Sequence, residues 1–136
     1  MRIHRVLRPE AIRLNMNSEW LDDPQEDWPK ARVDRYYKEH VIDEMVELLD
    51  ATGAISSARK LKKDLWNREK QMCSGLGNGI ALPHVRTLQA TEFVMGFARS
   101  SNGIPFGAHD DEPVNFFLPM VCPPYEDRSY IRFLKS

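Results

Sequence analysis

A mixed α/β domain is what this 136-residue sequence predicts: a three-layer sandwich with a central mixed sheet of about four to five strands covered by helices. Three observations predict it. Apolar residues recur at helical spacing in the first half of the chain. Short strand-like runs separated by turn residues fill the second half. One of these, Val114 to Val121 (VNFFLPMV), is nearly continuous apolar, which marks a sheet covered on both faces.

The first strand candidate is Ala11-Ile12-Arg13-Leu14. The acidic, aromatic stretch SEWLDDPQEDWPKARVDRYY follows; with two prolines and no consistent period, residues 17–35 read as an insertion or long loop. Ile42, Met45, Val46 and Leu49 then recur at helical spacing and Gly53 ends the run, so Tyr37 to Thr52 predicts an amphipathic helix. Ser57 can cap a second helix, with Ala58, Leu61 and Leu65 on one face, running to about Lys70. Strands are predicted over Ile80 to Val85, Glu92 to Arg99 and Val114 to Val121, with the turn-rich SSNGIPFGAHDDEP between the last two. Asp127 to Lys135 predicts a final helix that buries Tyr130, Ile131 and Leu134.

Composition bounds the function. The length fits one domain spanning 1–136. With 19 basic and 20 acidic side chains the formal net charge is −1, so electrostatics make no case for nucleic acid or an anionic membrane. The longest apolar runs fall far short of a membrane span, and the charged N-terminus lacks the apolar core of a signal peptide. Cys73 and Cys122 are too few and too far apart for a disulfide framework or a zinc site, which points to a reduced, cytoplasmic setting. His4, His40 and His109 share no ligand spacing with one another or with the cysteines, so neither a metal nor a cofactor is expected.

The chemistry concentrates in SGLGNGIALPH, Ser74 to His84. Alternating Gly75, Gly77 and Gly79 allow close backbone approach, and amides in such a turn can form an anion-binding nest. The lysine of a nucleotide loop is missing, and the segment after the glycines is strand-like where a dinucleotide fold needs a helix. Histidine suits another chemistry: neutral imidazole is a nucleophile near pH 7, and its phosphoramidate can pass a phosphoryl group on. Such an intermediate needs donors or cations for the phosphate oxygens, and Arg68 and Arg86 are the candidates.

The segment Asn67 to Thr87, NREKQMCSGLGNGIALPHVRT, resembles the signature of type-2 enzyme IIA domains of the bacterial phosphotransferase system, the fructose, mannitol and nitrogen-regulatory branch. The family pattern is an Arg-Glu pair, then Ser/Thr-Gly-Ile-Gly, then Gly-Ile-Ala-Ile-Pro-His. The similarity extends from the first strand to Gly103-Ile-Pro-Phe and Glu112-Pro-Val-Asn-Phe-Phe-Leu. It implies that His84 accepts a phosphoryl group from the carrier protein HPr, or a paralogue, and hands it to a IIB domain. It matches Arg68 to the arginine beside the active histidine and puts Ser74 where the family usually has threonine. Gly75, Gly77, Asn78, Gly79 and Arg86 are the supporting positions around the phosphate loop. No cofactor is implied, and possible regulatory protein partners are.

Three departures stand out. Tyr130 occupies the place of a second active-site histidine, and tyrosine brings one hydroxyl but no positive charge at pH 7. The family's last helical hairpin is missing after Ser136, and residues 17–35 exceed the usual link. The alternative to a phosphoryl carrier is therefore a regulatory protein-binding module of the same fold. Among the other candidates, Trp20 and Trp28 are read as covering the domain's own surface, Asp110 and Asp111 as serving a turn, and Cys73 as a small buried thiol. Glu69 either orients Arg68 or is a solvated helix charge.

Overall fold

A computed structural model describes residues 6–20 and 27–126. Strand β1 (Leu7–Arg13) is followed by a 3-10 turn (Asn17–Trp20) and two helices, α1 (Lys30–Asp50) and α2 (Ala58–Gln71). Short strands β2 (Gly75–Gly77), β3 (Ile80–Ala81) and β4 (His84–Arg86) come next. Then follow the long β5 (Val94–Ile104), β6 (Val114–Phe117) and β7 (Met120–Cys122).

Helix α2 begins as its sequence predicts, with Ser57 Oγ accepting from the Lys60 amide at 3.3 Å. Helix α1 begins earlier than its apolar period suggests. Residues 30–35, read from sequence as part of a long loop, are its first turns. Pro29 stands just before the first residue, where its missing N–H costs no helical bond, and its carbonyl accepts from Arg32 and Val33. This half of the helix has few buried positions, so no apolar stripe announces it; ion pairs Lys30–Asp34 and Arg35–Glu39 at one-turn spacing are its only local signal.

The seven ladder segments form one mixed sheet, in the order β2-β3-β6-β5-β7-β4 with β1 pairing β5. Register reduces them to the predicted four to five strand lines. Ile80 pairs with Phe116, Ala81 with Phe117 and His84 with Met120, so partners keep the same offset on both sides of Pro83. Likewise Ala98 pairs with Phe117 and Met95 with Met120, so β5 crosses Pro119 without a slip. The two prolines contribute only carbonyls here: Met120 N donates to Pro83 O and Gly96 N to Pro119 O, both at 2.9 Å. Thus β3 and β4 form one extended line, as do β6 and β7.

Both described helices pack on one face. There α1 buries Val41, Met45 and Leu48 against Ala98, Phe106 and Phe117, while α2 seats Leu61 and Leu65 with Val94 and Val121. A fully buried side chain of this size contributes about 1.5–3 kcal/mol. Met95 and Met120, alternating with Val94 and Val121, fall on the opposite face with Val6, Phe93 and Cys122. Farther along that face Ile12, Ile80 and Phe116 are exposed. The final helix expected over Asp127 to Lys135 lies outside the described residues.

Glu44 is a buried carboxylate of α1 that pins the 3-10 turn. It accepts from Ser18 Oγ (2.6 Å), the Ser18 amide (2.9 Å), the Asn17 amide (2.8 Å) and Arg13 (2.9 Å). Burial pushes its carboxyl upward, but the bonds from Ser18, Asn17 and Arg13 outweigh that and hold it below the ordinary range.

Candidate functional site

His84 opens β4, directly after Pro83, and is half-buried. Its ring is oriented locally: Nδ1 lies 2.5 Å from the carbonyl of Leu82. A carbonyl only accepts, so Nδ1 carries the proton and the lone pair of the neutral imidazole belongs to Nε2. The Leu82 amide in turn donates to Ser74 O at 3.0 Å, which joins His84 to the start of the β2–β3 hairpin.

Arg68 and Arg86 come together. Both line a cleft of about 410 Å³ between the last turns of α2 and the end of β4, with Asn67, Gln71 and the exposed Leu88. Thr87 Oγ1 donates to Asp64 at 2.6 Å and accepts from the Gln89 amide, tying α2 to the strand that carries His84. His84 opens the strand that Arg86 ends but does not itself line this cleft; two guanidiniums in one open cleft can meet a phosphate dianion with bidentate hydrogen bonds.

The glycine string divides. Ser74 and Gly75 sit at the hairpin base. Ser74 is buried, and its Oγ has no hydrogen-bond partner among the described residues. Gly75 lets the backbone close on Ala108, where an added Cβ would stand 2.7 Å from the Ala108 Cβ. Gly77, Asn78 and Gly79, expected from sequence to form or support the phosphate loop, are the hairpin tip. Their φ values of 97°, 57° and 77° form the turn, and the Asn78 amide is committed to Asp110 at 2.9 Å. Because β3 and β4 run on as one line, five residues at about 3.3 Å each put the Gly79 backbone roughly 16 Å from that of His84. The tip residues therefore supply the turn of the hairpin.

The remaining candidates resolve individually. Tyr130 lies outside the described residues. Asp110 accepts from Asn78 and Glu112 and is held below the ordinary carboxylate range, with the Asn78 bond the larger cause, so it serves the turn as expected. Trp28 packs edge-on to Tyr36 at 5.6 Å beneath the Arg32 guanidinium, covering the domain's own surface. Cys73 is half-buried rather than buried, and Cys122 is fully buried. Among the described residues no three His, Cys, Asp or Glu side chains converge as a metal site. Glu69 is no solvated helix charge: its side chain is 3% exposed, it accepts from the Ser74 amide at 2.9 Å and it pairs with Lys38 at 3.2 Å. Sequence reading missed Lys38 and Asp64, because polar residues on an amphipathic helix carry no local sign of a distant partner.

No helix among the described residues is long and apolar enough to cross a membrane. Comparison with known proteins agrees with the fold and the motif. The chain is 32% identical over 122 residues to the PTS system fructose-specific EIIABC component of Bacillus subtilis (strain 168), covering 90% of this chain and 16% of that protein. In structure it is similar to nitrogen regulatory protein IIA-Ntr from Neisseria meningitidis, with a TM-score of 0.76, 22% identity, and coverage of 98% of this chain and 79% of that one. It is also similar to enzyme IIA-mannitol in its complex with phosphorylated enzyme IIB-mannitol from Escherichia coli, with a TM-score of 0.61, 18% identity, and coverage of 96% and 81%. The family described as phosphoenolpyruvate-dependent sugar phosphotransferase system, EIIA 2, matches residues 30–136, and the chain belongs to that family.

Proposed function

We propose that this chain is a cytoplasmic phosphoryl carrier, that His84 is the acceptor, that HPr or a paralogue is the donor, and that a IIB domain takes the group onward. The observation that supports the reading is the bond between His84 Nδ1 and Leu82 O, which leaves the lone pair on Nε2, as a nucleophilic imidazole needs.

In the forward step the Nε2 lone pair forms a bond to phosphorus as the donor's P–N bond breaks, and the released electron pair returns to the donor imidazole. The His84 ring gains positive charge as the new bond forms. Its Nδ1 proton stays on the ring, donated to the Leu82 carbonyl, which stabilises that charge without a proton leaving. Arg68 and Arg86 neutralise charge on the phosphoryl oxygens, the kind of preorganised electrostatic help on which phosphoryl transfer relies. Passing the group to a IIB side chain is the same displacement in reverse. A fold shared with the IIA-mannitol protein, whose structure is a complex with phosphorylated IIB-mannitol, supports a IIB domain as the partner.

Incubation with phosphoenolpyruvate, the general phosphotransferase enzymes and HPr tests the reading. Acid-labile phosphate is expected on the wild type and none on His84→Ala; equal labelling of the two would sink it. The alternative, a regulatory module that signals by contact, draws on Tyr130 standing where the family has a second histidine. Tyr130→His is expected to speed transfer and to add a step that titrates between pH 6 and 8, because it restores the imidazole that the family carries at this position. Unaltered kinetics in that variant would detach Tyr130 from the reaction.

A further inference from the structure

A buried ion pair lies one residue along from the arginine cleft. Lys38 Nζ, on α1, sits 3.2 Å from Glu69 Oε1 in the last turn of α2, with the two side chains 15% and 3% exposed. The same Oε1 accepts the Ser74 amide at 2.9 Å. Lys38 Nζ also lies 3.4 Å from Cys73 Sγ and 4.8 Å from the centre of the Phe106 ring. Two helices and the entry to the hairpin therefore meet at one carboxylate.

Stability alone is a weak reason for such a pair, since removing two charges from water offsets most of their attraction. What the pair fixes is geometry. Arg68 precedes Glu69 and faces the cleft shared with Arg86, so whatever holds the last turn of α2 also aims Arg68. Ser74, held by Glu69, accepts from the Leu82 amide, and the Leu82 carbonyl orients the His84 ring. An unbroken path runs from Lys38 through Glu69, Ser74 and Leu82 to the imidazole, and its second member adjoins the phosphate-binding arginine.

We infer that Lys38 and Glu69 are positioning residues for phosphoryl transfer, a buried clamp that sets the Arg68 turn and the His84 ring in one frame. The inference rests on the reading of His84 as the phosphoryl acceptor. Neither residue touches the reacting atoms. Misplacing a catalytic group by about 1 Å can cost on the order of 10²-fold in rate, so a partial loss of the clamp should show in turnover and not in docking of the donor.

Three variants of the full chain separate the possibilities, read by kcat and KM for the phosphorylated donor and by hydrogen exchange at the Ser74 amide. Glu69→Ala removes the acceptor; kcat is expected to fall by about 10-fold or more with KM unchanged, and the Ser74 amide to exchange faster. Glu69→Gln keeps an acceptor oxygen for Ser74 and is expected to recover most of that loss. Should Glu69→Ala fail to fold, the double variant Lys38→Met/Glu69→Gln leaves no unpaired buried charge. It is expected to fold and to transfer more slowly than Glu69→Gln alone. A Glu69→Ala or double variant with wild-type kcat, or a Glu69→Gln no better than Glu69→Ala, overturns the clamp while the carrier reading stands. A wild type that takes no label on His84 overturns the carrier reading and the clamp with it.

Discussion

The two ends of the β2–β3 hairpin make an instructive contrast. At the base, Ser74 and Leu82 exchange a backbone bond, Glu69 and Lys38 hold the incoming chain, and His84 follows two residues on. At the tip, Gly77, Asn78 and Gly79 turn the chain against Asp110 and Asn115. In the sequence both ends belong to one glycine-rich string and share one resemblance. In space an extended strand separates them. The base is tied to buried ionic groups beside the arginine cleft, whereas the tip rests on an exposed carboxylate. Glycines thus serve two purposes in one motif: Gly75 for close packing on Ala108, and Gly77 and Gly79 for left-handed turn geometry.

The sharpest way to test the contrast is to disturb each end and compare transfer with stability. The largest effect is expected beside the base, from Arg68→Ala. Transfer should slow by roughly 10²-fold, the scale of losing one transition-state donor, while the denaturation midpoint barely moves. Unchanged transfer would reduce Arg68 to a surface charge.

Gly75→Ala comes next. Its new Cβ meets the Ala108 Cβ at 2.7 Å and the Ala108 Cα at 3.0 Å, so the hairpin base must shift. A loss of about 1–3 kcal/mol in denaturant unfolding, accompanied by slower transfer, is expected from such overpacking. At the tip, Gly79→Ala forces φ 77° on a residue with a Cβ that stands 3.0 Å from Asn115 Oδ1. It should destabilise by about 1–2 kcal/mol yet leave the transfer rate of the folded protein intact. Equal slowing by both alanines would erase the distinction between the ends.

The smallest effect concerns pH. Asp110 is held below its ordinary range by the Asn78 and Glu112 amides. Its contribution is therefore present above the unfolded carboxylate pKa of about 3.9 and is lost as pH falls through the lower folded value. The Asn78 amide should exchange faster across that acid window in the wild type. Asp110→Asn keeps an acceptor oxygen and should lose the pH step.

Much of this was legible without coordinates, because the signals are local. The Ser57 cap, the leucines of α2 and the apolar run 114–121 each act through neighbours three or four residues away, or through strand alternation. The start of α1 was not legible, because its first turns bury little and the proline before them resembles loop chemistry as much as a helix start. The predicted strands Ile80 to Val85 and Val114 to Val121 already held Pro83 and Pro119 in their interior, and the continuous register agrees. Whether a proline breaks a ladder depends on which side of the backbone its neighbour needs, and here the neighbours take only carbonyls.

The sequence by itself determined the helical and strand periods, the His84 motif with its arginine one helix turn before the loop, and a charge balance that argues against nucleic acid. These follow from side-chain type and local spacing. Only the tertiary structure decided that Glu69 is buried, that it meets Lys38 from the other helix, and that the glycine turn stands a strand's length from the histidine. The first two depend on a contact across 31 residues of chain, made by residue types that look solvated wherever they occur on a helix. The third depends on sheet register, which continues through Pro83 because β6 and β7 hold the two halves of the line at one offset.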